Sequence, residues 1–298
     1  MGLAPARLLA RLRWRTGGES EPGERLAPEE APVAIVHDGS TTAVMMATPA
    51  DFEEFGVGFS LTEGIIDSLD AIRSLEVAEA PPGVEVRLWL AADAGARLSA
   101  RRRHLAGPTG CGLCGLESLA EALRSPPQVA DAGFTVEAAA LVAAMQALAD
   151  AQSLGRATRA VHAAGLWRPT GELLLREDVG RHNALDKLVG ACAMAGVCVQ
   201  GRVLLLTSRV SVEMVQKAAV LGISVLCAAS APTALAVRTA EAAGITLAGV
   251  ARADGLEVFT FAQRIQMAAR TPATRPRVQR RRAVGLGGGQ SEPSAAGN

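Results

Sequence analysis

Two cysteines three positions apart among glycines, Cys111-Gly-Leu-Cys114-Gly, are the residues of this chain best suited to chemistry. They open the helical pattern LESLAEALRS. A thiol at a helix start gains from backbone N–H groups that lack partners and from the positive end of the helix dipole. Both favour the thiolate, the nucleophilic form. Gly110, Gly112 and Gly115 remove side-chain bulk and let another molecule approach. Arg101, Arg102, Arg103 and His104, just upstream, add positive potential. Three uses of the pair are open. A structural zinc site needs four ligands, and Cys192, Cys198 and Cys227 do not have the spacing of a second ligand pair. A thioredoxin-like redox pair follows an early strand of a βαβ unit, whereas this one follows a stretch rich in Ala, Arg and Gly. The third use is sulfur handling, in which a loop carries a persulfide between two proteins. Against all three stands a plain turn of small residues, which the interleaved glycines disfavour. Cys192, Cys198 and Cys227 read as inert core residues.

A second group of polar residues sits where strands give way to helices. Glu177-Asp178-Val-Gly-Arg181-His182-Asn183 lies between a strand end and a helix start. There it can cap the helix, bind an anion or place an acid or base. Thr207-Ser208-Arg209 and Ser230-Ala231-Pro232-Thr233 each follow an apolar strand and open a helix. Carboxyl ends of adjacent parallel strands form the crevice where open α/β sheets take ligands, and these residues suit a phosphate or pyrophosphate. No GxxxxGK[ST] run is present, so the crevice is not a P-loop.

The elements that must position these residues are legible from periodicity and punctuation. VAIVH, Asp38-Gly39 and TTAVMMAT read as a hairpin, and a helix follows from Asp51 to about Gly64. Two strand-like runs, near 72–77 and 84–90, complete a small N-terminal α+β domain over 32–95. Residues 96–115 read as a mobile linker that carries the cysteine loop. From 116 to 268 the order is α-β-β-α-β-α-β-α-β-β, with helices stopped at Gly196, Gly222 and Gly244. Two consecutive strand–helix–strand crossovers predict an α/β fold, a mixed sheet with helices on both faces and an antiparallel start. Residues 1–31 read as a disordered arm, and 269–298 as a disordered basic and Gly-rich tail.

Composition removes several classes of function. Lys+Arg and Asp+Glu are equal at 30 each, so no global basic footprint marks a nucleic-acid partner. Tyr is absent, which leaves few platforms for stacking bases. No apolar run of about 18 residues predicts a membrane span. The Arg-rich start lacks the apolar segment of a secretory signal. An odd number of cysteines, five, fits a reducing cytoplasm.

The chain resembles the FdhD family of formate dehydrogenase accessory proteins across roughly residues 33–265. The resemblance rests on GFSLTEGII (58–66), CGLCG (111–115), VHAAGLW (161–167), EDVGRHNALDKLVG (177–190), TSRVSVEMVQKA (207–218), SAPTALAV (230–237) and GITLAGVARADGLEVFT (244–260). It implies a larger domain with a cytidine-deaminase-like mixed sheet. It also implies a sulfur carrier, a sulfurtransferase of the persulfide type. Such a protein accepts sulfur from a cysteine desulfurase and passes it to the Mo-bis(molybdopterin guanine dinucleotide) cofactor, bound as cargo, for formate dehydrogenase. By the same resemblance Cys111 carries the persulfide and Cys114 assists or shields it. Cofactor contacts fall on Val250, Ala251, Arg252, Ala253, Asp254 and Gly255, and a homodimer is expected. Thr207, Ser208, Arg209, Ser230, Thr233, Asp178, Arg181 and His182 complete the expected cofactor edge; no metal ligands are expected.

The chain departs from the family pattern at Arg209-Val210, where Gly usually follows Thr-Ser, and at Val212 and Val250, where aromatics are usual. Leu256-Glu257-Val258-Phe259 replaces a Phe-Asn-Val-Tyr run. Two other functions compete. One is a chaperone that binds the cofactor or apo-enzyme without chemistry. The other is a zinc deaminase, against which stands the lack of a Glu after His182 and of cysteines at 208–211.

Overall fold

The computed structural model describes residues 4–96, 98, 124–130 and 133–267. The first feature corrects an expectation. Strands β1 (Ala6–Trp14) and β2 (Ser20–Pro28) pair antiparallel over their whole length, where a loose arm was predicted. The ribbon turns at Gly17 and Gly18, both at positive φ, which glycine adopts without steric cost. Arg25 anchors it by donating to the carbonyl of Thr158 at 2.8 Å.

Strands β3 (Ala31–His37) and β4 (Ser40–Ala47) form the expected hairpin. Helix α1 (Phe52–Thr62) follows, then β5 (Ile72–Ala80) and β6 (Gly83–Leu90). The four strands make a sheet ordered β4-β3-β6-β5, with β3 and β6 parallel. Alternate residues Val33 and Ile35 of β3 and Val86 and Leu88 of β6 bury against Phe55 of α1. Residues 92–96 are helical, and Ala94 and Leu98 join this core, so the chain is still packed where the linker was expected to begin.

After β7 (Val136–Glu137) come α2 (Ala138–Ala151), α3 (Ser153–Thr158), β8 (His162–Trp167), β9 (Leu173–Asp178) and α4 (Arg181–Met194). Then follow β10 (Val203–Leu206), α5 (Val212–Leu221), β11 (Val225–Ala228), α6 (Ala234–Ala243), β12 (Thr246–Arg252), β13 (Gly255–Val258) and β14 (Ile265–Gln266). The large sheet is ordered β13-β12-β11-β10-β8-β9. Strands β10, β11 and β12 run parallel; β8 is antiparallel to β10, and β9 to β8.

Strict alternation divides its residues between two faces. Ala164, Leu166, Leu204, Leu206 and Leu226 pack beneath α4, α5 and α6. Ala163, Trp167, Val203, Leu205, Val225 and Cys227 pack on the side of α2. Cys192 and Cys227 are core residues, and burial pushes their thiols up to about 11 and about 12. Cys198, expected in the core, is exposed. It lies in the loop before β10, where its neighbours Val197 and Val199 turn to the core instead.

The two sheets belong to one compact unit ending at Met267. Helices α1 and α4 cross closely enough that a Cβ on Gly58 would overlap the carbonyl of Asp186, and one on Gly190 the carbonyl of Glu54. Two buried ion pairs reinforce the crossing. Lys217 of α5 sits 2.7 Å from Asp186 and 3.0 Å from Glu63, and also donates to Thr62 at 2.9 Å. Burial opposes charge on Lys217, but the two carboxylates outweigh it and hold its pKa above the ordinary value. The second pair, Asp178–Lys187, lies at the candidate site.

Candidate functional site

Because β9, β10, β11 and β12 share one direction, their carboxyl ends meet at one edge of the large sheet. The chain leaves that edge into the first turns of α4, α5 and α6. The polar runs singled out in the sequence therefore come together there, although 29 residues separate Asp178 from Thr207 and 42 separate Ser208 from Val250. Short strand-to-helix connections in a parallel sheet make this placement unavoidable.

Within the edge the residues divide by direction. Asp178 has no exposed surface and faces inward. Its carboxylate accepts from the N–H groups of Thr48 (3.0 Å) and Gly180 (2.8 Å) and from Asn183 Nδ2 (3.0 Å), and pairs with Lys187 Nζ at 2.6 Å. Lys187, equally buried, also donates to the Thr48 carbonyl at 2.9 Å. Asn183 reaches Met46 O at 2.9 Å. This set ties the start of α4 to the end of β4. Asp178, expected to contact a ligand, instead holds the edge together.

Thr207 Oγ1 accepts from Ala163 N at 2.8 Å and so fastens β10 to β8. Ser208 is buried and donates to the carbonyl of Arg209 at 3.0 Å. Arg209 itself is exposed. Thr233 caps α6 by accepting from Ala236 N at 3.2 Å, and the Ser230 carbonyl accepts from Val250 N at 3.3 Å. At Val250 the strand bulges. Its φ is +51°, a left-handed conformation costly for a β-branched residue, and the pairing with β13 slips between Gly249 and Arg252. The slip turns Ala251 into the core on the side of α2, so its side chain is not available to a ligand. Arg252, Ala253 and Asp254 form an exposed turn that ends at Gly255.

Besides the exposed Arg209 and the turn at 252–254, the edge holds five half-buried residues: Arg181, His182 and three the sequence did not single out, His162, Ser211 and Glu213. His162 begins β8 opposite Asp178 in register. Burial, and then the charge of Arg181, hold its imidazole below the usual pKa, toward the neutral form. His182 Nε2 lies 3.2 Å from Glu213 Oε2, although the angle is too poor for a well-made hydrogen bond. Ser211 donates to the same oxygen at 2.9 Å. Contact with His182 holds the Glu213 carboxyl well down, to about 2, and Ser211 and the charge of Arg181 add to this against its burial. Arg181 Nε is buried without a hydrogen-bond partner among the described residues. Glu213 stands 31 residues beyond His182. The one hint to it in the sequence is its place in the first turn of a helix that starts at the edge.

Cys111 and Cys114 lie outside the described residues, as do the helix expected after them and the tail. A hollow of about 420 Å³ between the far ends of α4 and α5 is lined by Leu61, Val189, Cys192, Val197 and Leu221. It is apolar and remote from the edge. No helix among the described residues is long and apolar enough to cross a membrane.

The fold is that of a mixed α/β protein whose parallel strands bring their carboxyl ends to one edge of the large sheet. The chain belongs to the FdhD/NarQ family, whose model matches residues 28–266. A relative from Agrobacterium fabrum, named sulfur carrier protein FdhD, is 54% identical over 263 residues, covering 88% of this chain and 97% of that protein. One of the same name from Cupriavidus necator is 49% identical over 256 residues, 85% of this chain and 88% of that one. A crystal structure from Desulfotalea psychrophila, described as a formate dehydrogenase accessory protein, aligns with a TM-score of 0.67 at 26% identity. It covers 88% of this chain and 99% of that one.

Proposed function

We propose that this protein is a sulfur carrier that serves formate dehydrogenase. The observation that carries the reading is its high identity, over nearly their whole length, to relatives named sulfur carrier protein FdhD. The CGLCG motif supplies the chemistry. Cys111 thiolate attacks the outer sulfur of a cysteine desulfurase persulfide; the new S–S bond forms as the desulfurase thiolate leaves. Delivery as sulfide needs two electrons. Attack of the Cys114 thiolate on Cys111 sulfur supplies them, forming the Cys111–Cys114 disulfide as sulfide departs.

The recipient is the Mo-bis(molybdopterin guanine dinucleotide) cofactor, held as cargo at the strand-end edge. Arg181, Arg209 and Arg252 support that reading with cationic side chains, and His182 and the turn at Arg252–Gly255 with N–H groups, all suited to pyrophosphate. The large sheet is of the cytidine-deaminase kind, with the positions of the zinc ligands given over to other residues. The protein acts in the cytoplasm as a homodimer.

Intact-mass spectrometry after incubation with a cysteine desulfurase and cysteine tests the first step. The wild type is expected to gain about one sulfur atom, removable by a thiol reductant, and Cys111→Ala none. No gain in the wild type while the desulfurase turns over would leave a chaperone without sulfur chemistry as the better description.

A further inference from the structure

A half-buried carboxylate, that of Glu213, stands beside Arg181 and His182 at the edge. Glu213 reaches from the first turn of α5 toward His182 in the first turn of α4, with Ser211 holding the same oxygen. Arg181, beside them, has a buried Nε that no described residue satisfies. The His182–Glu213 contact is not needed to join the helices, which already share the core through Leu185, Leu188, Met214 and Val215. It is also loosely made. The two side chains are 37% and 35% exposed, and the hydrogen-bond angle is poor. Such a pair is easily exchanged for another partner.

We propose that Glu213 stands in for the anionic group of the cargo. Its carboxylate occupies His182 and draws on the charge of Arg181 while the edge is empty, and a phosphate or pyrophosphate displaces it on binding. This rests on the reading that the edge takes a dinucleotide. A pyrophosphate carries more charge than a carboxylate and offers more acceptor oxygens, so it prevails at the same cations. The half-exposed Glu213 then turns to water. Glu213 thereby lowers affinity for weakly charged anions and keeps release of the cargo feasible.

Isothermal titration of GDP, which carries the guanine pyrophosphate of the cargo, tests this on the full chain. Glu213→Gln keeps the shape of the side chain and removes its charge. It is expected to bind GDP about 2- to 5-fold more tightly than the wild type at low salt, with the difference shrinking as salt rises. Ser211→Ala, which frees the carboxylate from one of its two partners, should move affinity in the same direction by less. Arg181→Ala should weaken binding. Equal or weaker binding by Glu213→Gln, with a thermal melt showing it folded, would make Glu213 a support for His182 and overturn the proposal. If the variant does not fold, Ser211→Ala decides by the same sign. GDP binding by neither wild type nor variants would instead remove the dinucleotide reading of the edge, and the proposal with it.

Discussion

Replacing Lys187 with Met should be among the most damaging conservative changes in the protein. Lys187 has no exposed surface; its ammonium sits 2.6 Å from Asp178 and 2.9 Å from the Thr48 carbonyl, and 5.8 Å from the centre of the Phe55 ring. Methionine fills nearly the same volume, so the cavity term is small. What remains is a carboxylate with no exposed surface, still accepting from two backbone N–H groups and Asn183 but without its counter-charge. Leaving one partner of a buried pair uncompensated costs about 3–5 kcal/mol. A lost donor to a buried carbonyl adds about 1 kcal/mol. Urea denaturation of wild type, Lys187→Met, Asp178→Asn and the double variant measures this. The double variant should recover about 2 kcal/mol of the summed single losses, because the charge left behind in Lys187→Met is gone. A Lys187→Met loss below about 1 kcal/mol, or strict additivity, would refute the argument that this pair fixes the start of α4 against β4.

Glycine-to-alanine in a helix ordinarily gains about 1 kcal/mol, but Gly58→Ala and Gly190→Ala should each lose about 1–3 kcal/mol, since the new methyl meets the backbone of the facing helix; thermal melts give the sign. In a variant lacking Cys111 and Cys114, brief native alkylation should label Cys198 and leave Cys192 and Cys227 untouched, because burial covers both and raises their thiols to about 11 and about 12; peptide mapping checks this. Glu213, lowered from 4.5 to about 2, contributes stability that is fully present above 4.5 and is lost as pH falls through about 2. The difference in melting temperature between wild type and Glu213→Gln should therefore be modest, screened by salt, and vanish toward pH 2.

Much of the edge was legible because parallel strands leave little choice. Once β10, β11 and β12 are read as strands separated by helices stopped at Gly222 and Gly244, their carboxyl ends must meet. The direction of each side chain was not legible. Asp178 reads as a helix cap or ligand contact until Lys187, nine positions on, turns inward to meet it. Ala251 would face the other side of the sheet but for the bulge at Val250, whose left-handed backbone no local rule for valine predicts. The ribbon of β1 and β2 was missed because it has no buried face of its own. Leu8, Leu12 and Trp14 remain 55%, 71% and 64% exposed, so its alternation carried no contrast between core and solvent. The meeting of His182 with Glu213 depends on how two helices cross, and periodicity within each helix does not report it.

The ties that set the edge have a consequence for how the chain is made. Thr48 is held by Asp178, and Thr62 by Lys217, 130 and 155 residues later. A ribosome adding about 5–20 residues each second needs several seconds to supply these partners after the small sheet has emerged. During that interval α1 offers Gly58 to a helix not yet synthesised, although the CGLCG segment has already been made. The ties that set this edge are thus a property of the chain extended to at least Lys217, and nascent chains shorter than that cannot make them.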